Sequence, residues 1–213
     1  MKRRLFIYGA GGLGREMLSF LLYSESWEPV GFIDDQLPAG KEVDGLSVVG
    51  GGDLLNTRQE KTAVIVAIGN PERKAAAIRK ITNHHVIYPV IVHPKAVLQD
   101  PTRIVLGPGS VIAAGVVITT GVTIGSHVLL NLNVTVGHDT LIGDYASVMP
   151  GVNVSGNVTI HEGAFIGAGA NIRNHIHIGA WATVGMGTVV IRDVAENATV
   201  AGVPARSLTP REP

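Results

Sequence analysis

Residues 104–148 read IVLGPGSVIAAGVVITTGVTIGSHVLLNLNVTVGHDTLIGDYASV, and every sixth residue from Leu106 onward is aliphatic. The series runs through fifteen positions, all of them Leu, Ile or Val, up to Val190, and it fails at the next step, Glu196. The residues two places earlier are small or β-branched, and a glycine often follows the aliphatic residue. A chain that buries one aliphatic side chain per hexapeptide and turns at glycines predicts a parallel β-helix, whose coils must stack to form a core.

The first half of the chain has a different pattern, typical of an α/β domain. The predicted elements are strands at Arg4–Tyr8, Val30–Ile33, Ala63–Ile68 and Val86–His93, and a helix at Arg15–Glu25. Strands that alternate with helices predict a small parallel sheet. We therefore expect an α/β nucleotide-binding domain over residues 1–90, resembling half of a Rossmann domain. Residues 91–213 are expected to form the β-helix domain with a C-terminal tail.

A glycine-rich turn lies between the first strand and the first helix. It reads GAGGLG and consists of Gly9, Ala10, Gly11, Gly12, Leu13 and Gly14. Backbone amides at a helix N-terminus favour phosphate, and acids about twenty residues further on, here Asp34 and Asp35, commonly bind a ribose or a base. A dinucleotide site normally needs two such halves, so a single nucleotide, carried by a sugar, is favoured. A dinucleotide site and an empty structural turn are the alternatives.

Composition excludes several classes of protein. The 213 residues carry equal numbers of acidic and basic side chains, which argues against nucleic-acid binding. No apolar run is long enough for a transmembrane helix, and the basic and apolar start is interrupted by glycines too early for a signal peptide. Cysteine is absent, which removes disulfides, thiolate zinc sites and cysteine nucleophiles. A cytoplasmic protein is the simplest expectation.

One histidine of the β-helix is a candidate general base. His138 follows Val136-Gly137 at a predicted corner, where its side chain points outward, and Asp139 comes next. The pKa of an imidazole lies near neutrality, and an adjacent carboxylate can orient the ring and stabilise its protonated form. The alternative is an ordinary surface histidine.

Several segments together resemble a known family. Residues 131–144, NLNVTVGHDTLIGD, look like the active-site coil of bacterial sugar acetyltransferases of the sialic acid O-acetyltransferase (NeuD) type, a family that includes N-acetyltransferases of nucleotide-linked amino sugars. The glycine turn, Asp34-Asp35, Ala67–Asn70, the hexapeptide repeats and Ala201–Arg206 appear in the family's order. The resemblance implies a left-handed coil, a homotrimer, acetyl-CoA as co-substrate and a sugar or nucleotide-sugar acceptor.

The resemblance also implies roles for single residues. His138 would be the base, oriented by Asp139, and the amide of Gly156 would bind the thioester oxygen. Pro204 and Arg206 would close the acetyl-CoA groove near the coenzyme's tail. The glycine turn, Asp34, Asp35 and Asn70 would hold the nucleotide. The chain departs from the family at two positions, Leu13 and Ser147, where members often carry histidine.

Two further hypotheses remain beside acetyl transfer. One is a non-catalytic β-helix scaffold with a nucleotide-binding domain, and the other is a dinucleotide-dependent enzyme. A metal is not expected, because the remaining histidines of the coil, His127, His161, His175 and His177, lack the close spacing of the zinc enzymes that share this fold.

Overall fold

The computed structural model describes residues 2–208. The chain divides into two compact units, Met1–Pro94 and Lys95–Pro213. The helices and strands of the first unit are β1 (Arg3–Tyr8), α1 (Gly12–Leu21), β2 (Trp27–Ile33), β3 (Glu42–Val43), β4 (Leu46–Gly50), α2 (Asp53–Asn56), β5 (Thr62–Val66), α3 (Pro71–Arg79), β6 (Val86–Ile87) and β7 (Ile91–Val92).

The first unit is built on one sheet of strand order β3-β4-β2-β1-β5-β6. All neighbours in it are parallel except β3 and β4, which form an antiparallel hairpin. The small parallel sheet expected from the sequence is thus confirmed. The hairpin was not anticipated, although its Asp44-Gly45 turn has φ angles of 46° and 80°, which is the backbone that this dipeptide favours.

The first helix differs from the expected range at both ends. It begins inside the glycine turn, at Gly12, and ends at Leu21. After it the amides of Tyr23 and Ser24 donate to the carbonyls three residues back, those of Phe20 and Leu21, which tightens the last turn and ends the helix. The Ser24 hydroxyl then accepts hydrogen bonds from the amides of Ser26 and Trp27, which turns the chain into β2.

The second unit is a parallel β-helix of short strands. They are β8 (Val97–Leu98), β9 (Ile104–Leu106), β10 (Val111–Ile112), β11 (Val117–Ile118), β12 (Val122–Ile124), β13 (Leu129–Leu130), β14 (Thr135–Val136), β15 (Leu141–Ile142), β16 (Ser147–Val148), β17 (Asn153–Val154), β18 (Thr159–Ile160), β19 (Phe165–Ile166), β20 (Asn171–Ile172), β21 (His177–Ile178), β22 (Thr183–Val184), β23 (Val189–Val190), β24 (Thr199–Ala201) and β25 (Arg206–Ser207), with a 3-10 turn at Pro101–Arg103.

These strands form the three faces of the coil. Their orders are β25-β24-β22-β19-β16-β13-β10 on the first face, β23-β20-β17-β14-β11-β8 on the second and β21-β18-β15-β12-β9 on the third. Paired residues lie 18 positions apart, as in Val111 with Leu129, so each coil consists of three hexapeptides. The hexapeptide β-helix expected from the sequence is confirmed.

The periodic aliphatic residues form the core of the coil. Every member of the series from Ile112 to Val190 is at most 3% exposed, and Leu106 packs against this core while partly buried. The series stops before Glu196 because the last coil is shorter. Ile178 pairs with Val194, 16 positions on, and Val194 points into the core with 6% exposure.

Within residues 2–208, none of the helices is both long and apolar enough to span a lipid bilayer.

Candidate active site

The candidate base lies at a corner of the coil, between β14 and β15. The imidazole of His138 and the carboxylate of Asp139 are 57% and 54% exposed, so both side chains point away from the core. Nδ1 of His138 lies 2.9 Å from Oδ2 of Asp139. In the neutral imidazole this contact places the proton on Nδ1, because the carboxylate only accepts, and leaves the Nε2 lone pair free to take a proton.

Gly156 lies beneath this imidazole in the next coil. A methyl group built on its Cα would lie 2.5 Å from Nε2 of His138, so only glycine leaves room for the ring. The backbone ties the two corners together as well, because the amide of Asn157 donates to the carbonyl of His138 over 2.8 Å. The base and Gly156 are therefore in direct contact, as the 18-residue stacking predicted.

The amide of Gly156 is an available donor. The residue is buried, and no acceptor for its N–H lies within hydrogen-bond distance among residues 2–208. At the corresponding point of another corner, the amide of Ser126 donates to Oδ1 of Asp144 over 2.7 Å. Buried amides are nearly always paired, so an open one beside a base is suited to an oxyanion.

A second candidate site is a cavity of about 550 Å³ in the first unit. Four of the predicted nucleotide ligands line it, namely Gly9, Gly11, Asp34 and Asp35. Gly12, Leu13, Gly14 and Asn70 do not line it, and nucleotide binding by all eight residues stays a prediction. The Asn70 side chain caps α3, where its Oδ1 accepts from the amide of Arg73 over 2.9 Å.

The glycines of the turn serve different purposes. A methyl group on Gly14 would collide with the carbonyl of Gly9, so glycine is needed where α1 packs on the end of β1. Gly9 has a φ of 108°, which L side chains rarely adopt. Gly11 and Gly12 have open space around them instead, with no atom within 4 Å of a built methyl group. The backbone at these two positions is therefore accessible to a ligand.

The aspartate pair has a structural role at the cavity wall. Oδ2 of Asp34 accepts from the amide of Ala10 over 2.8 Å, and Oδ1 accepts from the amides of Gln36 and Leu37 over 2.9 and 3.1 Å. Asp34 thus holds the glycine turn and the loop after β2 in place. Its proposed contact with a nucleotide would have to use the remaining lone pairs of the same carboxylate.

Asp35 is anchored by a separate set of contacts. Its carboxylate accepts from the hydroxyl of Tyr8 over 2.8 Å and from the amide of Gly52 over 2.7 Å, and Nζ of Lys80 lies 3.6 Å away. Partial burial opposes ionisation, but the Gly52 and Tyr8 hydrogen bonds and the Lys80 charge together hold the pKa of Asp35 below its ordinary value. Burial, then the Asp35 hydrogen bond, raises the pKa of Tyr8. Asp35 is therefore an anion at neutral pH.

We expect Asp34→Ala to destabilise the first unit by about 1–3 kcal/mol, because three backbone amides lose a charged acceptor. Urea unfolding would measure this change. The matched control is Glu60→Ala, which removes an exposed carboxylate from the same unit. Equal midpoints for both variants would contradict the role of Asp34 in the turn.

Two cations that the sequence analysis missed also line this cavity. Arg73 and Lys80 are seven positions apart on and just after α3, so they share one side of the helix. Their seven-residue spacing could have identified them, because it places both on one side of a predicted helix that is rich in Lys and Arg. The cavity therefore combines accessible backbone at Gly11 with two positive charges, which suits a phosphate group.

A second cavity, of about 430 Å³, lies at the C-terminal end of the coil. Arg192, Asp193 and Arg206 are among its lining residues, whereas Pro204 is not. The strand that carries Arg206 pairs antiparallel with β24. Two arginines at one cavity suit an anionic ligand.

In the part of the chain that the structure describes, no three side chains of His, Asp or Glu converge. His161 and His177 stack with ring centroids 6.3 Å apart, and His127 stacks on Tyr145 at 5.7 Å.

Comparison with known proteins covers both units. A family model described as the PglD N-terminal domain matches residues 4–81, and one described as the hexapeptide repeat of succinyl-transferase matches residues 104–120 and 157–192. GDP-perosamine N-acetyltransferase of Escherichia coli O157:H7 is 37% identical over 157 residues, which cover 71% of this chain and 70% of that protein.

Two solved structures share the whole architecture. The acetyltransferase domain of PglB from Neisseria gonorrhoeae has a TM-score of 0.89 and 32% identity, over 97% of this chain and 100% of that one. A histidine-to-asparagine mutant of perosamine N-acetyltransferase from Caulobacter crescentus, in complex with CoA and GDP-perosamine, has a TM-score of 0.90 and 28% identity, over 98% of each chain. The chain therefore belongs to the family of bacterial sugar acetyltransferases that join a PglD-type N-terminal domain to a hexapeptide-repeat β-helix.

Proposed function

We propose that this protein transfers the acetyl group of acetyl-CoA to the amino group of a nucleotide-linked amino sugar. The observation that carries the proposal is the open amide of Gly156, packed against the imidazole of the His138–Asp139 pair. The similarity to GDP-perosamine N-acetyltransferase, and to a structure that holds CoA and GDP-perosamine, supports the same substrate classes here.

The proposed reaction uses three groups of the coil corner. The acceptor amine attacks the thioester carbon while Nε2 of His138 removes a proton from the amine, with Asp139 stabilising the imidazolium. The carbonyl oxygen gains negative charge and receives a hydrogen bond from the amide of Gly156. The carbon–sulfur bond then breaks, and the thiolate of CoA takes the proton from the imidazolium. The products are the N-acetylated sugar and CoA.

The first unit would hold the nucleotide part of the acceptor. The accessible backbone at Gly11 and Gly12 and the cations Arg73 and Lys80 suit a diphosphate, and Asp34 and Asp35 would bind the ribose or base. A carboxylate is also the natural acceptor for the N–H groups of guanine, in keeping with the GDP-sugar of the relatives.

We also propose a cytoplasmic homotrimer in which acetyl-CoA lies between adjacent coils, with Pro204 and Arg206 near the coenzyme's tail. Large exposed apolar side chains on the coil support contact between subunits: Leu132, Met186 and Val203 are 44%, 80% and 74% exposed. Light scattering at micromolar concentration should give a trimer mass, and a monomer would contradict the shared groove.

The proposed function is tested by a thermal-shift panel followed by a product assay. Acetyl-CoA and GDP or UDP should each raise the melting temperature, since a ligand that binds only the folded state stabilises it. Mass spectrometry should then detect acetylation of a GDP- or UDP-linked 4-amino sugar. The matched control is the same nucleotide sugar with a hydroxyl group at that carbon, which should remain unmodified.

Two outcomes would favour the alternatives. No shift with acetyl-CoA far above micromolar concentration would indicate a scaffold protein. A shift with NAD but not with nucleoside diphosphates would indicate a dinucleotide-dependent enzyme.

A further inference from the structure

Thr140 is a polar residue in the apolar interior of the coil. The residues stacked at the same point of other coils are apolar, such as Val122, Val158 and Ile176. Thr140 is only 1% exposed, so its hydroxyl must find partners within the protein. It follows His138 and Asp139 directly, at the inner side of the same corner.

The hydroxyl of Thr140 bonds to both sides of the Gly156 corner. Its Oγ1 donates to the carbonyl of Ser155 over 3.2 Å, the shorter of its two carbonyl contacts, since the carbonyl of His138 lies 3.5 Å away. It accepts from the amide of Val158 over 3.5 Å. Ser155 and Val158 lie 15 and 18 positions further along the chain and enclose Gly156. Thr140 is therefore attached to the corner that carries the open amide.

The same arrangement occurs once more, at a different corner. Oγ of Ser110 donates to the carbonyl of Gly125 over 2.7 Å and accepts from the amide of Val128 over 3.0 Å. These partners again lie 15 and 18 positions further along. An inward hydroxyl at this position thus fixes the following corner in two cases, whereas at a third, Thr188, the buried Oγ1 has no hydrogen-bond partner among residues 2–208.

The bond to Ser155 has a direct effect on Gly156. The carbonyl of Ser155 and the N–H of Gly156 belong to one planar peptide unit, and in a trans peptide they point in opposite directions. At other corners this carbonyl accepts from the amide three residues on, as the carbonyl of Asn131 does from Val134, and so faces the interior without any hydroxyl. At the Gly156 corner the Thr140 hydroxyl takes the place of that donor, which keeps the carbonyl of Ser155 inward and the N–H of Gly156 outward. A hydrogen bond accepted by the carbonyl also polarises the peptide and strengthens its N–H as a donor.

The two corners differ in whether the outward amide has a hydrogen-bond acceptor. After Ser110, the corresponding amide, that of Ser126, is already bonded to Asp144. After Thr140, the corresponding amide belongs to Gly156, which packs against the His138 ring and has no acceptor in the described part of the chain. The outward amide at Ser126 therefore serves the fold, whereas the one at Gly156 is left for a ligand.

We propose that Thr140 is a positioning residue that aligns the amide of Gly156 with the carbonyl oxygen of the bound thioester. This inference rests on the proposed function, since it assigns the support for the oxyanion donor. Thr140 touches neither substrate. It acts through the Ser155–Gly156 peptide.

The test uses four variants of the whole chain. Thr140→Val removes the hydroxyl and keeps the shape, and Val already occupies the stacked positions above and below. Thr140→Ser keeps the hydroxyl. Ser110→Ala is the matched control, because it removes the same pair of bonds at a corner without a proposed catalytic group. Thr140→Ala is a second variant without the hydroxyl, should Thr140→Val not fold.

We expect Thr140→Val to lower kcat about 10-fold with little change in the KM of acetyl-CoA, a fraction of the effect of losing a whole oxyanion donor. The pH profile should keep its shape, because the base is intact. A stable ketone analogue of acetyl-CoA should lose several-fold in affinity, whereas CoA itself should not. Thr140→Ser and Ser110→Ala should each keep at least half of the kcat.

Some results would overturn the inference. They are an unchanged kcat in Thr140→Val, an equal loss in Ser110→Ala, or an equal loss of affinity for the ketone analogue and for CoA. Failure of the proposed function is distinguishable, because the wild-type protein would then show no acetyl transfer that depends on His138.

Discussion

Replacing His138 by alanine is expected to lower kcat for acetyl transfer by about 100-fold or more, the usual contribution of a positioned general base. The acceptor amine would then have to lose its proton to water. Acetyl-CoA affinity should be unchanged, because the open amide of Gly156 remains. Steady-state kinetics and calorimetry with acetyl-CoA measure the two quantities.

The matched control for this variant is His161→Ala, which removes another exposed imidazole of the coil. It should keep the wild-type kcat and melting temperature within error. A His138→Ala variant that retains more than about a tenth of the activity would remove His138 from the proposed mechanism.

The second large effect is expected for Gly156→Ala. The added methyl group would lie 2.5 Å from Nε2 of His138 and must displace the imidazole from its place above the amide. We expect kcat to fall by at least about 100-fold, as for the loss of the general base, because the displaced imidazole no longer reaches the acceptor amine. The crowding should also destabilise the coil, by about 0.5–1.5 kcal/mol, because the exposed imidazole can turn aside only into a less favourable rotamer.

A double-mutant cycle separates crowding from other causes. In a His138→Ala background the ring is absent, so Gly156→Ala should destabilise the protein much less. Thermal or urea unfolding of the four proteins gives the coupling free energy. Equal destabilisation in both backgrounds would show that the ring does not set the need for glycine.

The coil was predictable because its signal is local and repeated. One aliphatic residue per hexapeptide must point inward, and the buried residues from Ile112 to Val190 followed that pattern throughout. The ends were not predictable in the same way. The last coil is two residues short at the corner before Val194, which pairs with Ile178, 16 positions earlier. The first coil is two residues longer than the others, because Val97 pairs with Val117, 20 positions further on. A fixed six-residue period cannot reveal a corner that is longer or shorter than the others.

The proximity of the candidate site residues could be predicted where they are adjacent or one coil apart. His138 and Asp139 are neighbours, and Gly156 is 18 positions from His138, so the coil model alone brought them together. Thr140 escaped notice because it reads as one more β-branched member of an interior series. The hydrogen bonds that Tyr8 and Gly52 donate to Asp35 could not be predicted either, because they depend on which strands are neighbours in the sheet.

Between His138 and Arg192 every coil holds 18 residues, so this part of the β-helix grows in equal layers. Arg192, at the C-terminal cavity, lies on the same edge as His138 and three coils further on, and at about 4.8 Å per layer this separates them by about 14 Å along the axis. That length can change only in whole layers if the corners are to keep their geometry. Adding or removing one coil between the two would therefore change the distance that an elongated acyl donor has to span by one layer. The chemistry at either end would be unchanged.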